Sequence, residues 1–163
     1  MNLATIPFRA SPHFSPRGKP ITAVVLHDTG GKTAEGSLTW FENPESKVSA
    51  HFVIDRDGTV FQCVDVARAS WHAGSSVLHG EANVNSFSVG IELVDESDDP
   101  YPAPQLAAAE DLVATLIQHY AIPLHRVVGH QHICVPAGRK VDPGIDFPWY
   151  MFLLAVARAV ENA

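Results

Sequence analysis

Ile21-Thr22-Ala23-Val24-Val25-Leu26 is a short, nearly continuous apolar run rich in β-branched residues. A run of this kind reads as a central strand buried in the fold, because a half-exposed strand would alternate. His27 stands at its C-terminal end, and Asp28-Thr29-Gly30-Gly31 after it is turn chemistry. In sheets covered by helices, ligands gather beyond strand ends, so His27 is either a ligand-type side chain or an exposed or capping histidine.

The rest of the chain alternates strand and helix signals. Thr33 to Asn43 predicts a short helix ended by Pro44, with Leu38, Trp40 and Phe41 as its apolar residues. Ser49 to Asp55 and Thr59 to Val64 predict a hairpin over Arg56-Asp57-Gly58, with Phe52 and Ile54 inward. Ala67 to Ser86 has no period and predicts a functional loop. It carries Trp71-His72-Ala73-Gly74 and Asn83-Val84-Asn85-Ser86, and an aromatic beside amides suits a sugar face or a peptide. Phe87 to Val94 is again strand-like, with Glu92 on the face opposite Ile91, aimed either at solvent or into a cleft. An acidic, proline-containing linker follows from Asp95 to Pro104. Leu106, Ala109, Leu112, Val113, Leu116, Ile117 and Tyr120 mark one face of a long helix stopped by Pro123. Arg126 to Gly129 predicts a short strand that delivers His130 to another strand end. A last helix is expected from about Pro148 to Val160.

The stretch from Gly129 to Gly144 concentrates the ligand chemistry. It offers an imidazole at His130, a carboxylate at Asp142 and a cation at Lys140, with Pro136, Gly138, Pro143 and Gly144 predicting a shaped loop rather than a regular element. His27, His130 and Asp142 together would give two imidazoles and one carboxylate, leaving a fourth position for water, a set that suits zinc and also non-haem iron. Glu92 could then take a proton from water and return it to a leaving amine, and Lys140 could balance an oxyanion. These parts describe metal-assisted amide hydrolysis.

With 163 residues the chain fits one domain, and 46 % hydrophobic against 18 % charged residues exclude a disordered chain. A formal charge of −7 argues against a nucleic-acid partner, and no apolar run is long enough for a membrane span. Residues 1–20, with Arg9, His13, Arg17 and Lys19 among four prolines, read as an extended arm on a domain of residues 21–163. The arm lacks the apolar core of a secretory signal, so a cytoplasmic start is expected. Cys63 and Cys134 are expected as free thiols. His13, His79, His119 and His125 are expected at the surface.

The sequence resembles the type-2 N-acetylmuramoyl-L-alanine amidases, which include phage lysins and peptidoglycan-recognition proteins. Seven ordered segments carry the resemblance between about Ile21 and Trp149. They are Val24-Val25-Leu26-His27-Asp28-Thr29, Val48-Ser49-Ala50-His51-Phe52-Val53-Ile54, Asp57-Gly58-Thr59-Val60, Ala69-Ser70-Trp71-His72-Ala73-Gly74, Asn85-Ser86-Phe87-Ser88-Val89-Gly90-Ile91-Glu92, Gly129-His130 and Arg139-Lys140-Val141-Asp142-Pro143-Gly144. The resemblance implies an α/β fold, a mixed central sheet flanked by helices with a zinc groove on one side. It implies zinc on His27, His130 and Asp142, with Glu92 and Lys140 catalytic. Trp71, His72 and Asn85 map to segments that line or support the groove and are expected to bind substrate, with His51 a further candidate for the groove. The expected reaction cleaves the amide between the lactyl group of N-acetylmuramic acid and L-alanine of the stem peptide. The substrate would be peptidoglycan or muropeptide, in an endolysin released to the wall through a holin pore (the favoured setting) or in a cytoplasmic recycling enzyme. Two rivals are a non-catalytic peptidoglycan-binding module, which typically lacks a zinc ligand, and a regulatory partner-binding protein on the same fold. The interval from His130 to Asp142 is about two residues longer than the family's short form, and His132 stands where an acidic residue is frequent.

Overall fold

In the computed structural model, which describes residues 1–95 and 100–162, thirteen helices and strands are arranged around one five-stranded sheet. In chain order they are Phe14–Pro16 (β1), Ala23–Asp28 (β2), Ala34–Glu42 (α1), Phe52–Ile54 (β3), Val60–Gln62 (β4), Arg68–Ser70 (β5), Val77–Leu78 (β6) and Glu81–Ala82 (β7). Ser88–Leu93 (β8), Ala103–Tyr120 (α2), Val127–Gly129 (β9), His130–Ile133 (α3) and Trp149–Glu161 (α4) follow. The sheet runs β4-β3-β8-β2-β9; β2 is parallel to β8 and β9, β3 is parallel to β8, and β4 is antiparallel to β3. This is the mixed, helix-flanked sheet that the sequence implied. Part of the acidic linker, residues 96–99, lies outside the described residues.

The unbroken apolar character of β2 has a packing cause: every residue from Ala23 to His27 is buried. Val24 and Leu26 join Phe52, Ile54, Val89, Ile91 and Leu93 on one face, against Leu112 and Leu116 of α2 and Phe152 and Val156 of α4. On the other face Ala23 and Val25 meet Ala73, Val84, Phe87 and Ile133. Val53 packs there beneath Leu38 and Phe41 of α1. Thr33 caps α1 by accepting from the Gly36 N–H, and Asn43 ends it, as the sequence suggested. The β3–β4 hairpin forms over Gly58, whose φ of +89° favours glycine and whose missing Cβ would lie 2.7 Å from the Pro104 carbonyl oxygen.

Two expectations about the elements need correction. Residues 67–86 are not structureless, because β5 pairs with β1 of the N-terminal arm and β6 pairs with β7. The partner of β5 comes from more than fifty residues away, so no local period announces it. The stretch after Gly129 also begins with one helical turn, α3, since its chain breakers start only at Pro136; His132 Nδ1 accepts the Gly129 N–H at 2.9 Å and closes that turn.

The arm is extended but docked. Arg9 N–H donates to the Gln62 carbonyl, Gln62 N–H donates to Pro7, and Ser11 N–H donates to Cys63, so the arm lies along β4. His13 is buried rather than at the surface, its Nε2 facing the Asn43 carbonyl at 2.9 Å and its ring against Trp71. His79, His119 and His125 are exposed. Both cysteines are free and buried, and burial pushes the Cys63 thiol up to about 12.

Candidate active site

The register of the parallel strands assembles the site. His27 of β2 lies beside Glu92 of β8, and Leu26 lies beside Gly129, the last residue of β9. The next residue in the chain, His130, therefore arrives next to His27. Asp142 comes from the return of the loop, which is pinned where Gln131 N–H donates to the Asp142 carbonyl at 2.9 Å and Gln131 Nε2 donates to Pro143 at 3.1 Å. His27 Nδ1 is 3.1 Å from His130 Nδ1, and each of these nitrogens is 3.0 Å from Asp142 Oδ2. All three residues are buried.

The donor set fits a metal ion. His130 Nε2 lies 3.1 Å from the Ala73 carbonyl, which only accepts, so Nε2 carries the proton and Nδ1 of the neutral ring keeps its lone pair. Two imidazole nitrogens and a carboxylate oxygen within 4.8 Å of one another match the three protein ligands of a catalytic zinc with an open fourth position. At His27 and Asp142 the electrostatics favour the forms that could bind a metal. Burial pulls the His27 pKa down, outweighing the Asp142 carboxylate. Burial pushes Asp142 up, but the hydrogen bonds to His130 and His27 outweigh it and hold the carboxyl below its ordinary range.

Glu92 points into the same space as His27, which resolves the two orientations its strand position allowed. Its Oε2 is enclosed without a hydrogen-bond partner among the described residues. Burial, and then the negative charges of Asp142 and Asp28, raise its pKa well above the usual carboxylate value. A carboxyl so placed has a high proton affinity and a free oxygen to use it. Lys140 is exposed on the loop beside the site, and its charge opposes the upward shift of Glu92.

These groups lie in a groove of about 670 Å³, bordered by Trp40, Val48, Trp71 and Lys140. Trp71 borders the groove, its indole N–H donating to Ser15 Oγ of the arm at 2.8 Å. His72 reaches the groove wall, but both ring nitrogens are engaged, Nδ1 with His27 and Nε2 with Ser88. Burial pulls its pKa well below the usual value. Asn85 is not among the residues that border the groove and instead supports it from behind, its Oδ1 accepting the N–H groups of His72 and Ala73 at 3.2 and 2.7 Å. His51 likewise stays out of the groove, fully buried, accepting the Gly90 N–H at Nδ1 and facing the Arg68 carbonyl at Nε2. Burial takes its pKa to about 3.

Sequence reasoning missed Trp40, grouped with the apolar residues of α1. It is 52 % exposed and borders the groove, because Leu38 and Phe41 occupy the inward face and a helix turns Trp40 away from it. An aromatic outside the apolar stripe was the available signal.

Residues 17–145 match the family described as Amidase_2, N-acetylmuramoyl-L-alanine amidase. The chain belongs to this amidase family. It is 32 % identical over 166 aligned residues to the 1,6-anhydro-N-acetylmuramyl-L-alanine amidase AmpD of Haemophilus influenzae, covering 90 % of this chain and 89 % of the relative. A crystal structure of a selenomethionine derivative of AmpD superposes with a TM-score of 0.82 at 30 % identity, covering 94 % of this chain and 96 % of that one. The amidase AmiD of Escherichia coli, solved with anhydro-N-acetylmuramic acid-L-Ala-D-gamma-Glu-L-Lys, superposes with a TM-score of 0.74 at 27 % identity, covering 95 % of this chain and 60 % of that one. As an amidase of this family, the chain is an enzyme that hydrolyses an amide of a peptidoglycan-derived substrate. No helix among the described residues is long and apolar enough to cross a membrane.

Proposed function

We propose that this amidase is zinc-dependent and cuts the lactyl–L-alanine amide of soluble 1,6-anhydro-muropeptides. The observation that carries the metal reading is the convergence of His27 Nδ1, His130 Nδ1 and Asp142 Oδ2 at the groove floor. Hydrolysis exchanges no electrons, so a redox-inert ion suffices and zinc is favoured over iron. Zinc held there would supply Lewis acidity to the scissile carbonyl and lower the pKa of water. Glu92 would take the proton from the attacking water and deliver it to the L-alanine amine as that leaves. Lys140, at the groove border, would balance the negative charge on the carbonyl oxygen in the transition state. Trp71 and Trp40 offer apolar faces along the groove for the sugar ring or the stem peptide.

The anhydro substrate is supported by the relatives, since AmpD carries that substrate in its name and AmiD was solved with an anhydro compound. This moves the preferred setting from lysis to recycling. Residues 1–20 are taken as a docked arm of the domain formed by residues 21–163. The non-catalytic rival is disfavoured because both ionisable partners and all three ligand side chains are present.

The test is release of new L-alanine amino termini by the zinc-loaded protein from a 1,6-anhydro-muropeptide and, separately, from intact sacculi. Fast release from the soluble substrate alone supports the reading; equal release from sacculi points to a lysin. Asp142→Ala is expected to lose bound zinc and activity together, and full activity in that variant would remove Asp142 from the ligand set.

A further inference from the structure

The hydrogen bonds behind the two imidazoles lead to one short segment, His72-Ala73. His27 Nε2 lies 2.9 Å from His72 Nδ1, His72 Nε2 lies 3.0 Å from Ser88 Oγ, and Ser88 Oγ lies 2.7 Å from the Val84 carbonyl. A carbonyl only accepts, so the Ser88 hydroxyl spends its proton there. Ser88 can then only accept from His72, which places the His72 proton on Nε2 and leaves Nδ1 as an acceptor. His27 must in turn donate from Nε2, and its Nδ1 keeps a lone pair facing His130 and Asp142. The adjacent Ala73 carbonyl imposes the same tautomer on His130. The proton positions are thus read outward from two backbone carbonyls, one at each ring.

The segment is built for this. Asn85 Oδ1 receives the N–H groups of both His72 and Ala73, fixing the backbone that presents the ring and the carbonyl. Gly90 leaves the room the His72 ring occupies, for a Cβ at that position would come within 2.4 Å of the ring. The sequence showed His72 and Asn85 as groove candidates, and their partners give both a different task.

We propose that His72, oriented by Ser88, is a positioning residue that sets the tautomer and angle of His27 for the metal, in parallel with Ala73 acting on His130. This rests on the zinc reading above and deepens it. Partners of this type behind a metal-bound histidine raise affinity by fixing the ring, and their loss costs about 10- to 100-fold.

Zinc affinity of the apo protein, measured by competition with a chromophoric chelator, tests the proposal without recourse to activity. His72→Ala is expected to weaken zinc by about 10- to 100-fold. His72→Gln is expected to recover most of it, since a carboxamide can accept from His27 and donate to Ser88. Ser88→Ala should fall between wild type and His72→Ala. A role confined to packing would lower the melting temperature of His72→Ala while leaving zinc affinity at the wild-type value, and that result would overturn the proposal. Should His72→Ala not fold, long-range ¹H–¹⁵N spectra of the zinc-loaded wild type decide the matter. Protons on Nε2 of His27, His72 and His130 support the relay, and a proton on His72 Nδ1 refutes it. A wild type that takes up no zinc defeats the metal reading itself, an outcome distinct from a wild type that binds while His72→Ala binds equally well.

Discussion

Glu92 combines an enclosed, unpartnered oxygen with a strongly raised pKa, and both properties have consequences that can be measured. Glu92→Gln keeps the shape and removes the proton acceptor, so kcat is expected to fall by about 10²- to 10⁴-fold. Zinc affinity should stay close to wild type, because Glu92 is not in the ligand set. A variant that turns over at the wild-type rate would take Glu92 out of the chemistry. The stability of the metal-free protein offers a second readout. Because the folded pKa of Glu92 is above its unfolded value, the folded state retains a proton that the unfolded chain has already released. Its contribution to stability is therefore complete below the ordinary glutamate pKa and is lost as pH rises through the raised folded value. Glu92→Gln has no such loss, so its stability relative to wild type should increase as pH rises above the ordinary glutamate range, about pH 4, in denaturant titrations. A difference that stays flat across that range would contradict the burial argument.

Among the elements, the arm contributes more than its polar, proline-rich sequence suggests. Its strand β1 gives β5 a partner, and Ser15 anchors the indole of Trp71 at the groove. Arg17 then inserts its guanidinium among the carbonyls of Val66, Arg68, Ser86 and Ser88, at 3.1, 2.6, 3.2 and 3.0 Å. Burial lowers its pKa to about 10. Arg17→Ala leaves several of these acceptors without their donor, and a loss of about 1–3 kcal/mol is expected in equilibrium unfolding. The variant should also perturb the groove through Ser88 and Trp71, visible as a rise in KM. An unchanged unfolding midpoint would mean that the arm is dispensable to the fold.

On the scale of the whole molecule, the proposed metal ligands tie together segments that are distant in sequence. His27 and Asp142 are separated by 115 positions, and the site joins β2, the end of β9 and the late loop. Zinc that binds only the folded state stabilises it by mass action, by about 4 kcal/mol when free zinc is 1,000 times its Kd. Chelation is therefore expected to lower the melting temperature by about 10 °C, reversed by adding zinc back. The late loop should respond first, with amide exchange increasing across residues 134–146 more than in α2. A melting curve indifferent to chelator would argue against a bound metal in the resting protein.

Local patterning was enough to reveal the parts of this protein. The β-branched run of β2, the apolar stripe of α2 and the Asp57-Gly58 turn are encoded within a few neighbouring residues, because burial and backbone preference act at that range. The residue types at His27, Glu92, His130, Lys140 and Asp142, read with the resemblance they carry, were enough to indicate an amidase. The assignments that failed were those in which a residue's partner is far away in sequence. The strand β5, the burial of His13 and the engagement of Asn85 with the backbone of His72 and Ala73 depend on long-range pairing that no local period encodes. Strand register, too, was absent from the sequence pattern. By setting His27 beside Glu92 and Leu26 beside Gly129, the tertiary structure turned scattered side chains into one site. It also decided which nitrogen of each imidazole faces its neighbours, since that choice depends on carbonyl and hydroxyl partners brought together only by folding.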